Sequence, residues 1–212
     1  FIHLGNLYGA FADERLAHQS GGVFYLRIED TDDKRYVEGA VETIIKSLDF
    51  FGINFDEGAL LDGETGSYGP YYQSRRGEIY QCFAKEMVKK GQAYPCFLTE
   101  DEINEIRAYQ EAAHISVEDG IRGELSMPEN TQDTVILKTN GIPTYHFAHV
   151  IDDHFMRTTH VVRGAEWIPS LPIHVELFTK LGFEMPIFCH TGQLMKIDEE
   201  GNKRKLSKRK DP

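Results

Sequence analysis

The sequence has few cysteines and no long apolar run, and each shortage excludes a class of protein. Its three cysteines, Cys82, Cys96 and Cys189, are too few and too far apart for a disulfide framework or a paired-cysteine zinc motif. A reducing compartment, the cytoplasm, is therefore expected. No apolar run approaches the roughly 20 residues of a membrane span, and no signal peptide precedes Phe1, so we expect no membrane partner.

Positive charge is also scarce, since 23 Lys and Arg face 34 Asp and Glu and give a formal net charge of −11. This balance disfavours coating of nucleic acid by charge alone, but it leaves room for a local basic site. The hydrophobic share of 41% and the charged share of 27% are ordinary for a globular protein. Because the chain begins without Met and stops just after a dense charge run, we expect a piece of a longer polypeptide.

Apolar periodicity alternates between helix and strand along the chain, which predicts an α/β fold. We expect helices over residues 6–20, 37–51, 74–91, 145–152 and 171–181, with Asn6 capping the first. We expect strands over residues 23–28, 135–138, 159–162 and 186–190. The first strand is almost continuously apolar, as in a parallel sheet covered on both faces. Residues 99–134 are polar and weakly periodic, which indicates an insertion rather than core.

Two short segments next to predicted elements could bind a charged ligand. His3 and Gly5 stand directly before the first helix, where glycine lets a ligand approach the backbone and the helix start favours anions. A lone histidine there is more often a polar turn residue. Residues 27–32 (Arg-Ile-Glu-Asp-Thr-Asp) follow the first strand, where carboxylates could hold an ammonium group or ribose hydroxyls. The alternative for this second segment is a solvated acidic turn.

The third segment is basic and lies at residues 203–210, where six of eight residues are Lys or Arg. Such runs are usually solvated tails or nucleic-acid contacts. Lysines there could also close over a triphosphate and neutralise charge that develops during phosphoryl transfer.

In this order, the three segments resemble the signatures of the class I aminoacyl-tRNA synthetases. Residues 3–6 (His-Leu-Gly-Asn) resemble their His-Ile-Gly-His-like turn, and residues 205–209 (Lys-Leu-Ser-Lys-Arg) resemble their Lys-Met-Ser-Lys-Ser-like loop. The Arg-Ile-Glu-Asp-Thr-Asp run brings the match closer to the glutamyl-tRNA synthetases. Further matching segments are residues 71–74, 141–146, 152–154 and 162–167.

The resemblance implies a Rossmann-like parallel sheet with helices on both faces, interrupted by a smaller insertion that binds the tRNA acceptor stem. The first half of this nucleotide-binding domain would span residues 1–92 and the second half residues 135–192. The insertion would span residues 93–134. Residues 193–212 would form the mobile lysine-rich catalytic loop region.

The resemblance also implies a ligase that activates L-glutamate with ATP to glutamyl-adenylate. It then transfers the glutamyl group to the 3′-terminal adenosine of tRNA(Glu), with tRNA(Gln) as a second candidate acceptor. Mg²⁺ would arrive with ATP, so no metal ligand is expected in the protein, and a monomer is expected. Neither chemical step needs a protein nucleophile.

The site residues are likewise implied by the resemblance. Those for catalysis are His3, Lys205 and Lys208. Those for ATP binding are His3, Gly5, Asn6, Glu166, Met195 and Lys208. Those for glutamate binding are Glu29, Tyr145, His149 and Arg163, with Glu29 on the ammonium and Arg163 able to clamp a carboxylate. The alternatives are an ion pair between Arg163 and Glu166, and core packing for Tyr145 and Trp167.

The sequence departs from the family pattern at several places. Asn6 replaces the second histidine of the turn and cannot become cationic. His149 stands where the family commonly has asparagine, and a titratable group there could make binding depend on pH. The family's first strand, with an arginine and an Ala-Pro-Ser-Pro-Thr-Gly run, is missing, and residues 110–118 are short for the insertion. We therefore expect this piece alone to be unstable or inactive.

Other functions remain open on the sequence alone. Glutaminyl-tRNA synthetase is a sibling enzyme, and a truncated paralogue that glutamylates a modified tRNA base is another, although it typically lacks the lysine-rich loop. A noncatalytic binding module derived from a synthetase is expected to have lost its phosphate-contacting residues. A histidine metalloprotein would use His146, His149, Asp153 and His154.

Overall fold

The computed structural model describes residues 4–32, 37–99, 101–102, 113–197 and 201–205. Its helices are α1 (Leu4–Gln19), α2 (Ala40–Phe50), α3 (Gly77–Lys89), α4 (Tyr145–Phe155) and α5 (Leu171–Leu181). Two 3-10 segments, Gln73–Arg76 and Ala165–Ser170, precede α3 and α5. The strands are β1 (Tyr25–Leu26), β2 (Glu57–Ala59), β3 (Glu64–Thr65), β4 (His114–Asp119), β5 (Gly123–Pro128), β6 (His160–Gly164), β7 (Ile187–Thr191), β8 (Met195–Ile197) and β9 (Lys203–Lys205).

The five expected helices are confirmed, with shifts at their ends. Helix α1 begins at Leu4, so Asn6 lies inside its first turn and the prediction that Asn6 caps the helix is wrong. Helix α5 ends as expected at Gly182, whose φ of 71° is the left-handed conformation that glycine adopts most readily. Among the described residues, no helix combines the length and apolar character needed to cross a bilayer.

Parallel pairing occurs where it was expected, but in two separate sheets rather than one. β1 pairs in parallel with β2, and β6 pairs in parallel with β7. Within the described residues β1 and β6 each have a strand partner on one edge only. β1 comprises two residues instead of the predicted six. The strand predicted over residues 135–138 is a single bridge between Leu137 and Pro143 around a tight turn.

The polar segment before residue 134 contains a β-hairpin that the sequence analysis did not predict. β4 and β5 pair over six residues each, from His114 opposite Pro128 to Asp119 opposite Gly123. Val117 and Met127 are buried in the larger hydrophobic core. The expectation that this stretch contributes nothing to the core is therefore wrong for the hairpin.

In the described ranges, two hydrophobic cores support the fold. The larger one packs α3, α4 and α5 against β6, β7 and the hairpin, and its largest members are Tyr80, Phe147, Phe178 and Phe188. The smaller one joins α1 to α2 through Leu7, Leu48 and Ile53.

A buried carboxylate, Asp152 of α4, connects this helix to the segment before α3. Its oxygens accept hydrogen bonds from Arg76 Nε at 2.6 Å and from Gln73 Nε2 at 2.9 Å. The Tyr80 hydroxyl donates to the same carboxylate. Because Asp152 is fully buried, these partners must replace the water that its charge would otherwise hold.

Candidate active site

A cleft of about 1730 Å³ opens between α1, β1 and the strand pair β6–β7. It brings together segments that are far apart in the sequence, from the start of α1 to the residues after β7. The predicted site residues that line it are Gly5, Asn6, Glu29, His149, Arg163 and Glu166.

The remaining predicted residues do not line this cleft in the part of the chain that the structure describes. The Tyr145 ring does not line the cleft but stacks on the lining residue Trp167, with 5.0 Å between the ring centroids. Met195 is half exposed on β8 and follows Leu194, the last lining residue. The backbone of Lys205 pairs with Met195.

Three predicted catalytic features lie partly or wholly outside the described residues. His3 and Lys208 are not among those residues, and the same holds for the side chain of Lys205. Near His3, Gly5 and Asn6 stand in the first turn of α1 and are exposed at the cleft. The positive end of the helix dipole at this turn favours an anion such as phosphate.

At the acidic turn, a chain of polar contacts holds Glu29 at the cleft. Arg27 donates from Nη2 to Glu29 Oε1 at 3.2 Å and from Nη1 to Asp153 Oδ1 at 3.0 Å. Asp153 Oδ2 lies 2.7 Å from His149 Nδ1, and His149 Nε2 lies 3.8 Å from Glu29. Burial would raise the pKa of Asp153, but His149 and Arg27 outweigh it and hold that pKa far below its usual value.

A second carboxylate of this turn has a structural role. Asp30 accepts hydrogen bonds from the backbone N–H and the hydroxyl of Ser74, at 2.8 and 2.6 Å. It thereby fixes the turn to the 3-10 segment before α3. Asp30 therefore serves the fold through a distant contact, whereas Glu29 faces the cleft.

Arg163 of β6 forms no ion pair with a carboxylate of the described residues, although Asp153 and Asp119 favour its charge from a greater distance. Its Nε donates to His190 Nε2 at 3.0 Å, while Nη1 and Nη2 are buried and have no hydrogen-bond partner among the described residues. The expected alternative, an ion pair with Glu166, does not form. Burial lowers the pKa of Arg163, although a guanidinium stays protonated in proteins.

Behind the cleft, histidines of α4 and α5 pack against one another. His146 Nδ1 lies 2.9 Å from His174 Nε2, and His174 is fully buried. His154 instead stacks on Phe183 with a centroid distance of 3.6 Å, away from His146. In the described part of the chain, no three or more His, Cys, Asp or Glu residues form a group that could hold a metal ion.

The burial of His174 predicts that the fold loses stability in mild acid. Burial lowers the pKa of His174 to about 2, helped by His149, Arg163 and His146 and opposed by Asp153. Below pH 6.5, His174 is protonated in the unfolded chain but remains neutral in the folded chain. The free energy of unfolding therefore falls as pH falls. One such histidine accounts for about 2 kcal/mol of unfolding free energy between pH 7 and pH 5.

The measurement is urea unfolding at pH 7 and pH 5 for the wild type and His174→Gln. The variant is expected to reduce the pH difference by about 2 kcal/mol, the share of His174. His160→Gln, at an exposed histidine, is the matched control and should keep it. An unchanged pH difference in His174→Gln would contradict the prediction.

Sequence reasoning missed several contacts that support the residues of the cleft. The pair His149 and Asp153 is spaced four apart on α4, and this spacing could have indicated their contact. His190 and Asp119 are 71 residues apart, so no local pattern connects them.

Comparison with known proteins places the whole chain in one family. Residues 1–117 and 109–212 match the family described as tRNA synthetases class I (E and Q), catalytic domain. The glutamate–tRNA ligase of Acetivibrio thermocellus is 58% identical over 255 residues, covering 100% of this chain and 46% of that protein. That of Clostridium perfringens strain 13 is 46% identical over 256 residues, covering 100% and 47%.

Solved structures agree with the sequence comparison. A glutamate tRNA ligase from Elizabethkingia meningosepticum, in complex with its amino acid, superimposes with a TM-score of 0.81 at 34% identity, covering 98% of this chain and 49% of that one. The glutamate-tRNA synthetase of Elizabethkingia anophelis gives 0.79 at 34%, covering 98% and 50%. This similarity is consistent with an α/β, Rossmann-like fold.

The chain thus spans about half the length of the relatives it matches. The aligned lengths of 255 and 256 residues exceed its 212 residues, so the relatives contain residues within the aligned region that this chain lacks. The family match itself covers every residue, and the chain therefore belongs to the class I tRNA synthetases for glutamate and glutamine, within their catalytic domain.

Proposed function

We propose that the protein uses ATP to activate L-glutamate and transfers the glutamyl group to the 3′-terminal adenosine of tRNA(Glu). The observation that carries this proposal is the pairing of opposite charges in one cleft. Glu29 offers a carboxylate, and Arg163 offers two terminal nitrogens with no hydrogen-bond partner among the described residues. A ligand with one ammonium group and a distant carboxylate complements both.

The cleft also discriminates between glutamate and its amide. A guanidinium has only hydrogen-bond donors, so it pairs with the two acceptor oxygens of a carboxylate. The amide nitrogen of glutamine would instead bring a second donor towards Arg163. A ligand bound there excludes water, so that mismatch is not relieved and glutamate is favoured.

Activation requires the α-carboxylate oxygen of glutamate to attack the α-phosphorus of ATP, forming one O–P bond as pyrophosphate leaves with the electron pair of the broken bond. Mg²⁺ carried by ATP spreads the phosphate charge. The chain's own residues hold the reactants in line. We assign Gly5, Asn6 and the start of α1 to the phosphates, with His3, Lys205 and Lys208 completing that set.

The remaining assignments concern the nucleotide and the amino acid. We assign Glu166 and Met195 to ATP, with Glu166 the stronger case because it lines the cleft. We assign Tyr145 to the glutamate site through Trp167 and His149, whose rings it contacts. His149 is bound to Asp153 and lies close to Glu29, so it acts by positioning the carboxylate that receives the ammonium group.

The domain organisation is part of the same proposal. Residues 1–92 and 135–192 are assigned to a parallel sheet flanked by helices on both faces, and residues 93–134 to the insertion that binds the acceptor stem. The β4–β5 hairpin would join this insertion to the catalytic core, because its inner face is buried there. Residues 193–212 would supply the lysine-rich loop.

The proposal is tested by ATP–pyrophosphate exchange in the full-length protein with tRNA(Glu) present. Glutamate should support exchange and glutamine should not. Exchange with glutamine alone would reassign the specificity, and no exchange with either amino acid would favour a noncatalytic module. Charging assays with tRNA(Gln) would decide whether that tRNA is also an acceptor.

Replacing Lys208 by alanine tests the basic segment of this proposal. We expect the exchange rate to fall about 100-fold, because one charge contact to the transferring phosphates is lost in the transition state. Glutamate binding, measured by calorimetry, should change little. Lys89→Ala, at an exposed lysine of α3, is the control, and an unchanged rate in Lys208→Ala would remove this residue from the mechanism.

A further inference from the structure

We infer that His190 and Asp119 are positioning residues for Arg163, a role that rests on the proposed function. His190 lies on β7 beside Arg163 on β6, and its backbone pairs with that of Arg163 in the parallel register. Both His190 and Asp119 are buried. They form a chain of two side-chain hydrogen bonds that ends on Arg163 Nε.

The direction of every proton in this chain is fixed by chemistry. Arg163 Nε can only donate, so His190 Nε2, 3.0 Å away, must accept. His190 Nδ1 therefore carries the proton and donates it to Asp119 Oδ2 at 2.6 Å. A carboxylate on Nδ1 thus selects the tautomer that presents a lone pair to Arg163.

Asp119 is itself held firmly at the turn of the β4–β5 hairpin. Its Oδ1 accepts from the backbone N–H groups of Ile121 and Arg122 at 3.0 and 2.9 Å, and both its oxygens receive the backbone N–H of His190. Burial opposes its charge, but these donors and the His190 ring lower the pKa of Asp119. The carboxylate is therefore ionised and immobile at neutral pH.

His190 stays neutral, and this matters for Arg163. Burial is the main cause that lowers the pKa of His190, and Arg163 adds to it. A neutral imidazole orients the guanidinium through Nε without compensating its charge. A carboxylate in place of the His190 ring would have paired with the guanidinium nitrogens of Arg163 that a ligand needs. The arrangement leaves Nη1 and Nη2 without a hydrogen-bond partner among the described residues, for the side-chain carboxylate of glutamate.

The position of Asp119 depends on close packing of the hairpin turn against β7. Gly120 donates its backbone N–H to the carbonyl of Phe188 at 2.8 Å. A Cβ at Gly120 would lie 2.8 Å from Cys189 Sγ and 3.2 Å from Ile187 Cγ2, so a larger residue would have to displace these side chains to keep the turn this close. The hairpin is thus a component of the amino-acid site, although it lines no part of the cleft.

Two substitutions test the chain of hydrogen bonds. His190→Phe keeps a ring but removes the acceptor for Arg163. Asp119→Asn keeps the shape but offers an N–H to Nδ1, which drives the proton to Nε2 and sets two donors against each other. Each is expected to raise the KM for glutamate about 10- to 100-fold, as losses of supporting hydrogen bonds commonly do, with the KM for ATP unchanged.

His190→Gln is the conservative rescue, because its amide oxygen can accept from Arg163 Nε. It should bring the KM for glutamate to within about threefold of the wild type. In an Arg163→Gln background, His190→Phe should have no further effect on that KM. If His190→Phe does not fold, Asp119→Asn gives the same test with a side chain of unchanged size.

The outcomes separate this inference from the proposed function. Wild-type protein without glutamate-dependent exchange would overturn the proposed function, and the inference with it. Wild-type exchange together with an unchanged glutamate KM in Asp119→Asn and His190→Phe would overturn only the inference. Equal losses for glutamate and ATP, or effects that persist without Arg163, would assign the pair a purely structural role.

Discussion

Replacing Arg163 by glutamine is expected to lower kcat/KM for glutamate by at least about 100-fold, because a carboxylate loses two charge-assisted hydrogen bonds, each with a net value of about 1.5 to 3 kcal/mol. The loss is large because Nη1 and Nη2 are buried, where water cannot substitute for the missing donors. Selectivity should fall as well, since a glutamine side chain at position 163 can pair with an amide.

The measurement is ATP–pyrophosphate exchange with glutamate and with glutamine, in the full-length protein with tRNA present. Arg75→Gln is the matched control, because Arg75 is exposed and lies outside the cleft lining; it should leave both rates unchanged. A variant at position 163 that keeps the wild-type preference for glutamate would mean that Arg163 serves only the fold.

Replacing Asp152 by alanine is expected to lower the free energy of unfolding by about 3 to 5 kcal/mol, as when one partner of a buried ion pair is removed. Arg76 is buried beside this carboxylate, and it would retain a charge without its partner. The Tyr80 hydroxyl and Gln73 Nε2 would each lose an acceptor as well.

Urea unfolding followed by circular dichroism measures this loss. Asp152→Asn retains an acceptor oxygen but not the charge, so it should recover only part of the lost stability. Asp62→Ala, at an exposed aspartate, should change stability by less than about 0.5 kcal/mol. Equal stability of Asp152→Ala and Asp62→Ala would show that the carboxylate contributes nothing.

The helices could be predicted from the sequence because their signals are local. The apolar stripe of α2 and the glycines that end α2 and α5 lie within a few residues of the structure they determine. Strand length depends instead on distant partners. Residues 23–28 have the composition of a six-residue strand, yet only Tyr25 and Leu26 pair with β2.

The hairpin was missed for a related reason. Its strands are exposed on one face, so the polar side chains of β4 and β5 concealed the alternation of Ile115, Val117, Leu125 and Met127. That alternation has a period of two and was available as a signal. The alternation could not have indicated which elements cover this face, because they are the distant α3, α4, α5 and β7.

The candidate site was predicted mainly through short motifs. The motifs predicted Glu29 and Arg163, and His149 was predicted as a departure from the family pattern; all three line one cleft. The supporting contacts were beyond sequence reasoning, because Arg27 reaches Asp153 across 126 residues and Asp119 reaches His190 across 71. Such contacts depend on how distant parts of the chain fold together, and no local sequence pattern indicates them.

The stack of Trp167 on Tyr145 has a practical consequence. Trp167 is the one tryptophan of the chain, it lines the cleft, and its ring centre lies 6.0 Å from the Arg163 guanidinium carbon. Its indole fluorescence therefore comes from a ring beside the Arg163 guanidinium, which is proposed to bind a carboxylate. The chain thus carries an intrinsic fluorophore at the proposed amino-acid site, so glutamate binding there should change the emission without any added label.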